Sequence, residues 1–143
     1  QYTREIAKRN DAEYILTDGP PGIGCPAIST VTGADMVVAV TEPTLSGWHD
    51  LLRLIEMINR FQTGIFVIIN KCDLNDNMTR EIEMNLKSGN IPVIGKIPYD
   101  ENMLRALLQG KAITEYMPEG TMAENMIGIW NYLKEHIYEF KSI

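Results

Sequence analysis

Residues 13–25 of the 143-residue chain read EYILTDGPPGIGC. The apolar run of residues 14–16 predicts a short strand that leads into Asp18, and small glycines and prolines follow directly behind the aspartate. A strand ending on an aspartate places a fixed negative charge at the mouth of a sheet, and glycines let backbone N–H groups approach an anion closely. The stretch therefore suits a magnesium–phosphate site, with Asp18 on the metal side and Gly22 beside the terminal phosphate. The alternative is a tight strand-to-helix turn with a solvated carboxylate.

The composition predicts one domain, residues 1–143, because 45% apolar residues are enough for a core. A net charge of −6 argues against a nucleic-acid partner, which needs a basic surface. Cys25 and Cys72 form no Cys-x-x-Cys pair, so we expect a reduced, cytoplasmic protein without its own zinc or iron–sulfur site. No apolar run approaches the ~20 residues of a membrane span, so no integral membrane contact is expected. Because the chain begins with Gln1 rather than methionine, we expect it to be cut or processed.

Apolar runs of strand length alternate with helical patterns along the chain. This order predicts an α/β fold with a mostly parallel sheet flanked by helices. The predicted strands are residues 14–16, 36–40, 65–69 and 91–97, and the unbroken apolar run at 36–40 implies burial on both faces. The predicted helices include residues 48–61, with Thr44 or Ser46 as the candidate N-cap, and a helix carrying Met78, Ile82 and Leu86 that Gly89 stops. A short helix capped by Asp100 follows, and the last helix opens with a capping box from Thr121 to Glu124.

Polar side chains follow each predicted strand. In parallel sheets, ligands bind beyond the carboxyl ends of the strands, so these side chains are expected to share one edge. The polar positions are Asp18, residues 41–42, residues 70–73 and residues 98–100.

Residues 70–73, Asn-Lys-Cys-Asp, form the second strong signal. The Asn70 amide can donate to and accept from a purine edge, while the Asp73 carboxylate can accept two N–H bonds from guanine. The stem of Lys71 can pack along the base. A polar turn after a buried strand is the alternative, but the placement behind an apolar strand favours base recognition.

Four segments in this order resemble one known family. They read DGPPGIGCP at 18–26, VTEPTLSG at 40–47, INKCDLN at 69–75 and IPYD at 97–100. The chain resembles the C-terminal part of the MinD/ParA-type P-loop ATPases with a deviant Walker A motif. It is most similar to the MinD-superfamily ATPases that carry an inserted ferredoxin domain.

The resemblance implies a role for each matching residue. Asp18 would be the Walker B aspartate that orders Mg²⁺ through its waters, and Gly22 would donate its N–H to the γ-phosphate, which makes these two the catalytic positions. The complete protein would bind ATP and Mg²⁺ and would form a homodimer. The implied nucleotide-binding residues are Gly24, Asn70, Lys71, Asp73, Pro98, Tyr99 and Asp100, the last three closing over base and ribose.

The sequence departs from the family in lacking the P-loop motif G-x-x-x-x-G-K-[ST] and the ferredoxin cysteines. We therefore expect the parent protein to be an ATPase and this chain to hydrolyse nothing alone. By resemblance only, the parent would carry iron–sulfur clusters and act as an ATP-driven switch in iron–sulfur or redox-complex assembly. In the family the P-loop strand lies between the strands predicted at 14–17 and 36–40. We expect that strand to come from outside this chain, the alternative being direct pairing of the two.

Two further interpretations remain. A GTPase of the metal-chaperone type would read guanine through residues 70–73, and a non-catalytic binding module would keep only the fold. GTPases usually place glycine three residues after the switch aspartate, whereas the interval from Asp18 to Gly22 is four. That spacing favours ATP.

Overall fold

The computed structural model describes residues 2–20, 25–61 and 63–137. Among these residues, three parallel strands form one sheet in the order β1-β2-β3, and helices flank it. The predicted α/β class with a parallel sheet is therefore confirmed. The strands are β1 (Met36–Thr41), β2 (Gly64–Asn70) and β3 (Val93–Ile97), and the helices are α1 (Tyr2–Arg9), α2 (Cys25–Val31), α3 (Leu45–Asn59), α4 (Asp76–Ser88), α5 (Glu101–Leu108), α6 (Ile113–Tyr116) and α7 (Thr121–His136).

The central strand β2 is buried on both faces, because its side chains alternate between two apolar cores. Ile65, Val67 and Ile69 join the core that α2, α3 and α4 cover. Ile68 joins the second core, which contains Ile129 of α7 and residues of α5 and α6. Helices therefore cover both faces of the sheet. A ligand-binding site is accordingly expected at the polar ends of the strands.

The strand predicted at residues 14–16 is wrong, since residues 14–20 form no regular element. No described strand lies beside them, and β1 pairs only with β2. Without a neighbouring strand, Ile15 and Leu16 stay exposed to water, Leu16 to 92%. The expectation that β1 is buried on both faces also fails at Val40, which is 63% exposed because β1 is an edge strand.

Several predicted element ends shift by a few residues. Helix α3 begins at Leu45, three residues before the predicted start, and Thr44 is its N-cap, one of the two predicted candidates. β3 begins at Val93, two residues after the predicted start.

The predicted capping box from Thr121 to Glu124 is wrong: Gly120 is the N-cap of α7, and no side chain caps it. Gly89 follows α4 as predicted but has a negative φ. Asn90 adopts the left-handed backbone instead.

Helix α7 lies close to the sheet at Gly95 of β3. A Cβ atom on Gly95 would meet Ile129 Cδ1 at 2.5 Å, so the absence of a side chain sets this helix–strand distance. Within the described ranges, no helix is both long and apolar enough to cross a membrane.

Candidate functional site

The β2–α4 loop, residues 71–75, is held in a tight local conformation. Lys71 has a left-handed backbone with φ of 51°, and its N–H donates to Asn70 Oδ1 at 3.1 Å. The N–H of Leu74 donates to the Lys71 carbonyl at 3.0 Å, which closes the turn. Asn75 then caps α4 by accepting from the Met78 N–H. The loop thus places the predicted base-binding residues directly at the end of a buried strand.

The end of β3 and the β3–α5 loop, residues 98–100, each form one hydrogen bond with the β2–α4 loop. The Cys72 N–H donates to the Ile97 carbonyl at 3.0 Å. The Tyr99 N–H donates to Asp73 Oδ1 at 2.7 Å. Because of these bonds, the end of β2 and the end of β3 form one continuous polar rim, which we call the carboxyl edge of the sheet.

The third strand end joins this edge through an ion pair. Lys71 Nζ lies 2.7 Å from Glu42 Oε1, and both side chains are partly exposed. Glu42 belongs to the β1–α3 loop, residues 42–44, which is itself compact. A Cβ on Gly47 would lie 2.6 Å from the Glu42 carbonyl oxygen, so this close approach requires glycine. The predicted grouping of polar residues at strand ends is thus present for three strands.

A cavity of about 430 Å³ lies beside this edge, between the end of β1 and the first turns of α3. Hydroxyl and carboxylate groups line part of it, including those of Thr41, Thr44 and Asp50. A second cavity of about 450 Å³ lies at the opposite end of the sheet, where residues 90–93 enter β3. The first cavity is lined in part by Glu42, the ion-pair partner of the predicted site residue Lys71.

Tyr99 and Asp100 have different structural roles in the β3–α5 loop. The ring of Tyr99 is 53% exposed at the carboxyl edge and is available to a ligand. Asp100 caps α5 as predicted, because its Oδ1 accepts from the Asn102 N–H at 2.7 Å. Pro98 between them and β3 is partly buried.

The remaining predicted residues lie at or beyond the limits of the described chain. Asp18 is exposed, and its carboxylate has no hydrogen-bond or ion-pair partner in the described part of the molecule. Gly22 and Gly24 fall outside the described residues. Asp18 thus presents an exposed carboxylate, a hard oxygen donor, on the segment that precedes α2.

Cys72 lies within the β2–α4 loop, partly buried. Burial raises the pKa of its thiol, and the neighbouring Asp73 charge raises that pKa further. The thiol is therefore a poor nucleophile and a poor metal ligand near neutral pH. In the ranges that the structure describes, no group of three or more His, Cys, Asp or Glu residues could hold a metal ion.

Sequence reasoning missed two contacts that shape the site. The Glu42–Lys71 pair joins residues 29 positions apart, although both lie at predicted strand ends. Thr79 of α4 donates its hydroxyl to the Cys72 carbonyl at 2.7 Å. The Glu42–Lys71 pair could have been proposed from the opposite charges that follow two adjacent strands. The Thr79–Cys72 hydrogen bond has no signal in the sequence, because the two residues lie seven positions apart, further than one helical turn.

Comparison with known proteins identifies several relatives of this chain. An uncharacterized protein of Methanocaldococcus jannaschii is 42% identical over 76 residues, covering 53% of this chain and 28% of that protein. The septum site-determining protein MinD of Helicobacter pylori is 34% identical over 119 residues, covering 75% of this chain and 44% of that protein. The chain therefore spans less than half the length of either relative.

The fold of this chain is also similar to that of a solved structure. The septum site-determining protein MinD from Pyrococcus horikoshii, complexed with Mg-ADP, is similar with a TM-score of 0.75 at 20% identity, covering 97% of this chain and 58% of that chain. At this identity the likeness concerns the fold alone. The family model described as the CobQ/CobB/MinD/ParA nucleotide binding domain matches residues 3–113. That match covers most of the sequence, and the chain therefore belongs to the CobQ/CobB/MinD/ParA nucleotide-binding family.

Proposed function

We propose that the chain is the nucleotide-binding C-terminal part of a longer MinD/ParA-like ATPase. The observation that carries this proposal is the joining of three strand-end loops at the carboxyl edge, through the Lys71–Glu42 pair and the Asp73–Tyr99 hydrogen bond. Parallel α/β sheets bind ligands at this edge. The Pyrococcus horikoshii MinD, which has a similar fold, is described as a complex with Mg-ADP and supports ATP and Mg²⁺ as the ligands.

The residues at the edge fit the parts of Mg-ATP in different ways. Asn70 Oδ1 accepts from the Lys71 N–H, which leaves the amide nitrogen of Asn70 and the second lone pair of Oδ1 for the base. The exposed ring of Tyr99 offers a flat apolar surface beside it. On sequence grounds we add Asp18, whose exposed carboxylate is the kind of oxygen donor that Mg²⁺ prefers, directly or through water. Gly22 and Gly24 are proposed as phosphate-side positions on sequence grounds.

The activity of the whole protein is a wider proposal. The chain contains no G-x-x-x-x-G-K-[ST] motif, so hydrolysis would need phosphate-binding residues from elsewhere in the longer protein. We propose that this protein is a cytoplasmic homodimer. A role in iron–sulfur or redox-complex assembly rests on the sequence resemblance alone.

Competition binding tests the proposed site. A fluorescent ATP analogue bound to the longer protein with Mg²⁺ should be displaced by ATP more readily than by GTP. Asn70→Ala should weaken ATP binding by ~1 kcal/mol, since it removes one hydrogen bond to the base. Asn77→Ala is the matched control, because Asn77 lies on the exposed surface of α4 and contacts Arg80.

The same experiment separates the other interpretations. Preferential displacement by GTP would replace the ATPase proposal with the metal-chaperone-type GTPase. Binding of ATP without turnover would leave a non-catalytic binding module. Absence of any nucleotide binding by the folded longer protein would contradict the proposal.

A further inference from the structure

The carboxylate of Asp73 is engaged by the protein's own backbone. Its Oδ1 accepts from the Tyr99 N–H at 2.7 Å, across 26 residues of sequence. Both groups lie on loops, Asp73 behind β2 and Tyr99 behind β3. A short hydrogen bond to an ionised acceptor is among the stronger kinds, so it can fix one loop against the other.

Further hydrogen bonds fix the backbone next to Asp73. The register of β2 and β3 ends at the pair Asn70 and Ile97, and the Cys72 N–H extends the ladder by donating to the Ile97 carbonyl at 3.0 Å. The Cys72 carbonyl in turn accepts from the Thr79 hydroxyl at 2.7 Å, which anchors the loop to α4. The loop that carries Asp73 is therefore held to both β3 and α4, whereas Tyr99 is 53% exposed.

This arrangement bears on which base the site accepts. Guanine presents neighbouring N–H donors, and reading them takes both oxygens of a carboxylate. In this fold a guanine bound in that way would have to share Asp73 Oδ1 with the Tyr99 N–H, which already orients the carboxylate toward the β3–α5 loop. We propose that Asp73 is a positioning residue that holds the β3–α5 loop beside the base site, and that it does not read guanine. The inference deepens the proposed nucleotide-binding function and rests on it for the base.

Amide hydrogen exchange of the longer protein, measured without nucleotide, tests the loop contact. Asp73→Ala should make the Tyr99 amide exchange about tenfold faster, as expected when a hydrogen bond to a charged group is lost. Asp73→Asn should keep much of the protection, because its amide oxygen can still accept. The amides of α4 serve as the reference for global stability and should not change.

Asp35→Ala is the matched control variant for exchange. Asp35 is an exposed carboxylate directly before β1, at the opposite end of the sheet, and its removal should leave the Tyr99 amide unchanged. Unchanged Tyr99 exchange in Asp73→Ala would overturn the proposal. Acceleration of the α4 amides to the same extent would also overturn it, because the effect would then be general destabilisation.

Nucleotide affinity of the longer protein tests the consequence for the base. If Asp73 positions the loop, Asp73→Ala weakens ATP and GTP binding by a similar factor, and Asp73→Asn largely restores both. If Asp73 reads guanine, both variants weaken GTP binding selectively and leave ATP binding unchanged, which would overturn the proposal. A protein that binds no nucleotide would contradict the proposed function, while the exchange experiment would still decide whether Asp73 fixes the loop.

Discussion

Lys71 combines an unfavourable backbone with a favourable charge contact. Its φ of 51° lies in the left-handed region, which costs a residue with a Cβ roughly 1–2 kcal/mol. Its ion pair with Glu42 is partly exposed, and such pairs contribute roughly 0–1 kcal/mol. The pair therefore does not offset the backbone cost in full. Strained residues of this kind persist where the surrounding structure fixes them, and they are frequent at functional sites.

Two substitutions at Lys71 separate these contributions. Both Lys71→Ala and Lys71→Gly remove the ion pair, but only glycine also relieves the left-handed strain. We expect Lys71→Gly to be more stable than Lys71→Ala by about 1 kcal/mol, measured by urea denaturation. Glu42→Gln is the control that neutralises the pair and keeps the backbone. Equal stability of the alanine and glycine variants would contradict the assigned strain.

At the residue scale, the sequence predicted local contacts well and distant ones poorly. Thr44 and Asp100 each cap a helix that begins at the next residue, so the sequence pattern that predicts each cap lies within one helical turn. The Asp73–Tyr99 bond joins groups 26 residues apart and depends on the register of two strands. The motif at residues 70–73 gives the residue type of Asp73 and does not indicate its backbone partner, the Tyr99 N–H.

At the scale of the elements, the apolar run of β2 predicted its burial correctly, whereas the similar run of β1 did not. Strand β2 has a neighbour on each side and helices on each face. Strand β1 is also apolar, but it has only one neighbouring strand among the described residues, and its Val40 is exposed. A strand's own residues do not report how many strands lie beside it, and this is why the number of strands was overestimated.

Packing of α7 on β3 gives a prediction for Gly95. Gly95→Ala would place a Cβ within 2.7 Å of two side-chain atoms of Ile129, which is only 9% exposed. We expect a loss of roughly 1–3 kcal/mol of unfolding free energy, measured by thermal or urea denaturation. Ile129→Val removes the closest atom, so the double variant should lose less than the sum of the two single changes.

Gly128→Ala provides the matched control on the same helix. A Cβ at Gly128 meets no atom within 4 Å, and alanine favours a helix interior by about 1 kcal/mol over glycine. The same substitution should therefore stabilise at one glycine and destabilise at the other. Stabilisation by Gly95→Ala would show that α7 does not lie this close to β3.

At the scale of the whole molecule, the described residues place no strand beside the outer edge of β1 or beside the apolar residues 14–16. The outer edge of β1 has no neighbour among the described residues. Residues 14–17 are not paired with β1, so the alternative in which the two segments close up directly is wrong for this structure. Tyr14 instead packs edge-on against Trp130 of α7, with ring centroids 5.3 Å apart. This contact anchors the segment to α7 while Leu16 beside it stays exposed.

An open apolar edge strand tends to pair with another chain. We therefore predict that a strand from outside these 143 residues covers the edge of β1, either from a co-folded segment of the longer protein or from another copy. Size-exclusion chromatography with light scattering should show the isolated chain as oligomers or aggregate. Co-expression with the remainder of the longer protein should give a soluble, defined species.

A charged variant distinguishes edge pairing from other association. Val40→Lys adds a charge to the unpaired edge strand and should reduce the oligomers of the isolated chain. Leu52→Lys is its control, because Leu52 is exposed on α3, away from the strand edge, and should leave association unchanged. If the isolated chain is instead a monomer with a cooperative melting transition at all concentrations, the edge of β1 needs no outside strand, because the three-stranded sheet is then stable by itself.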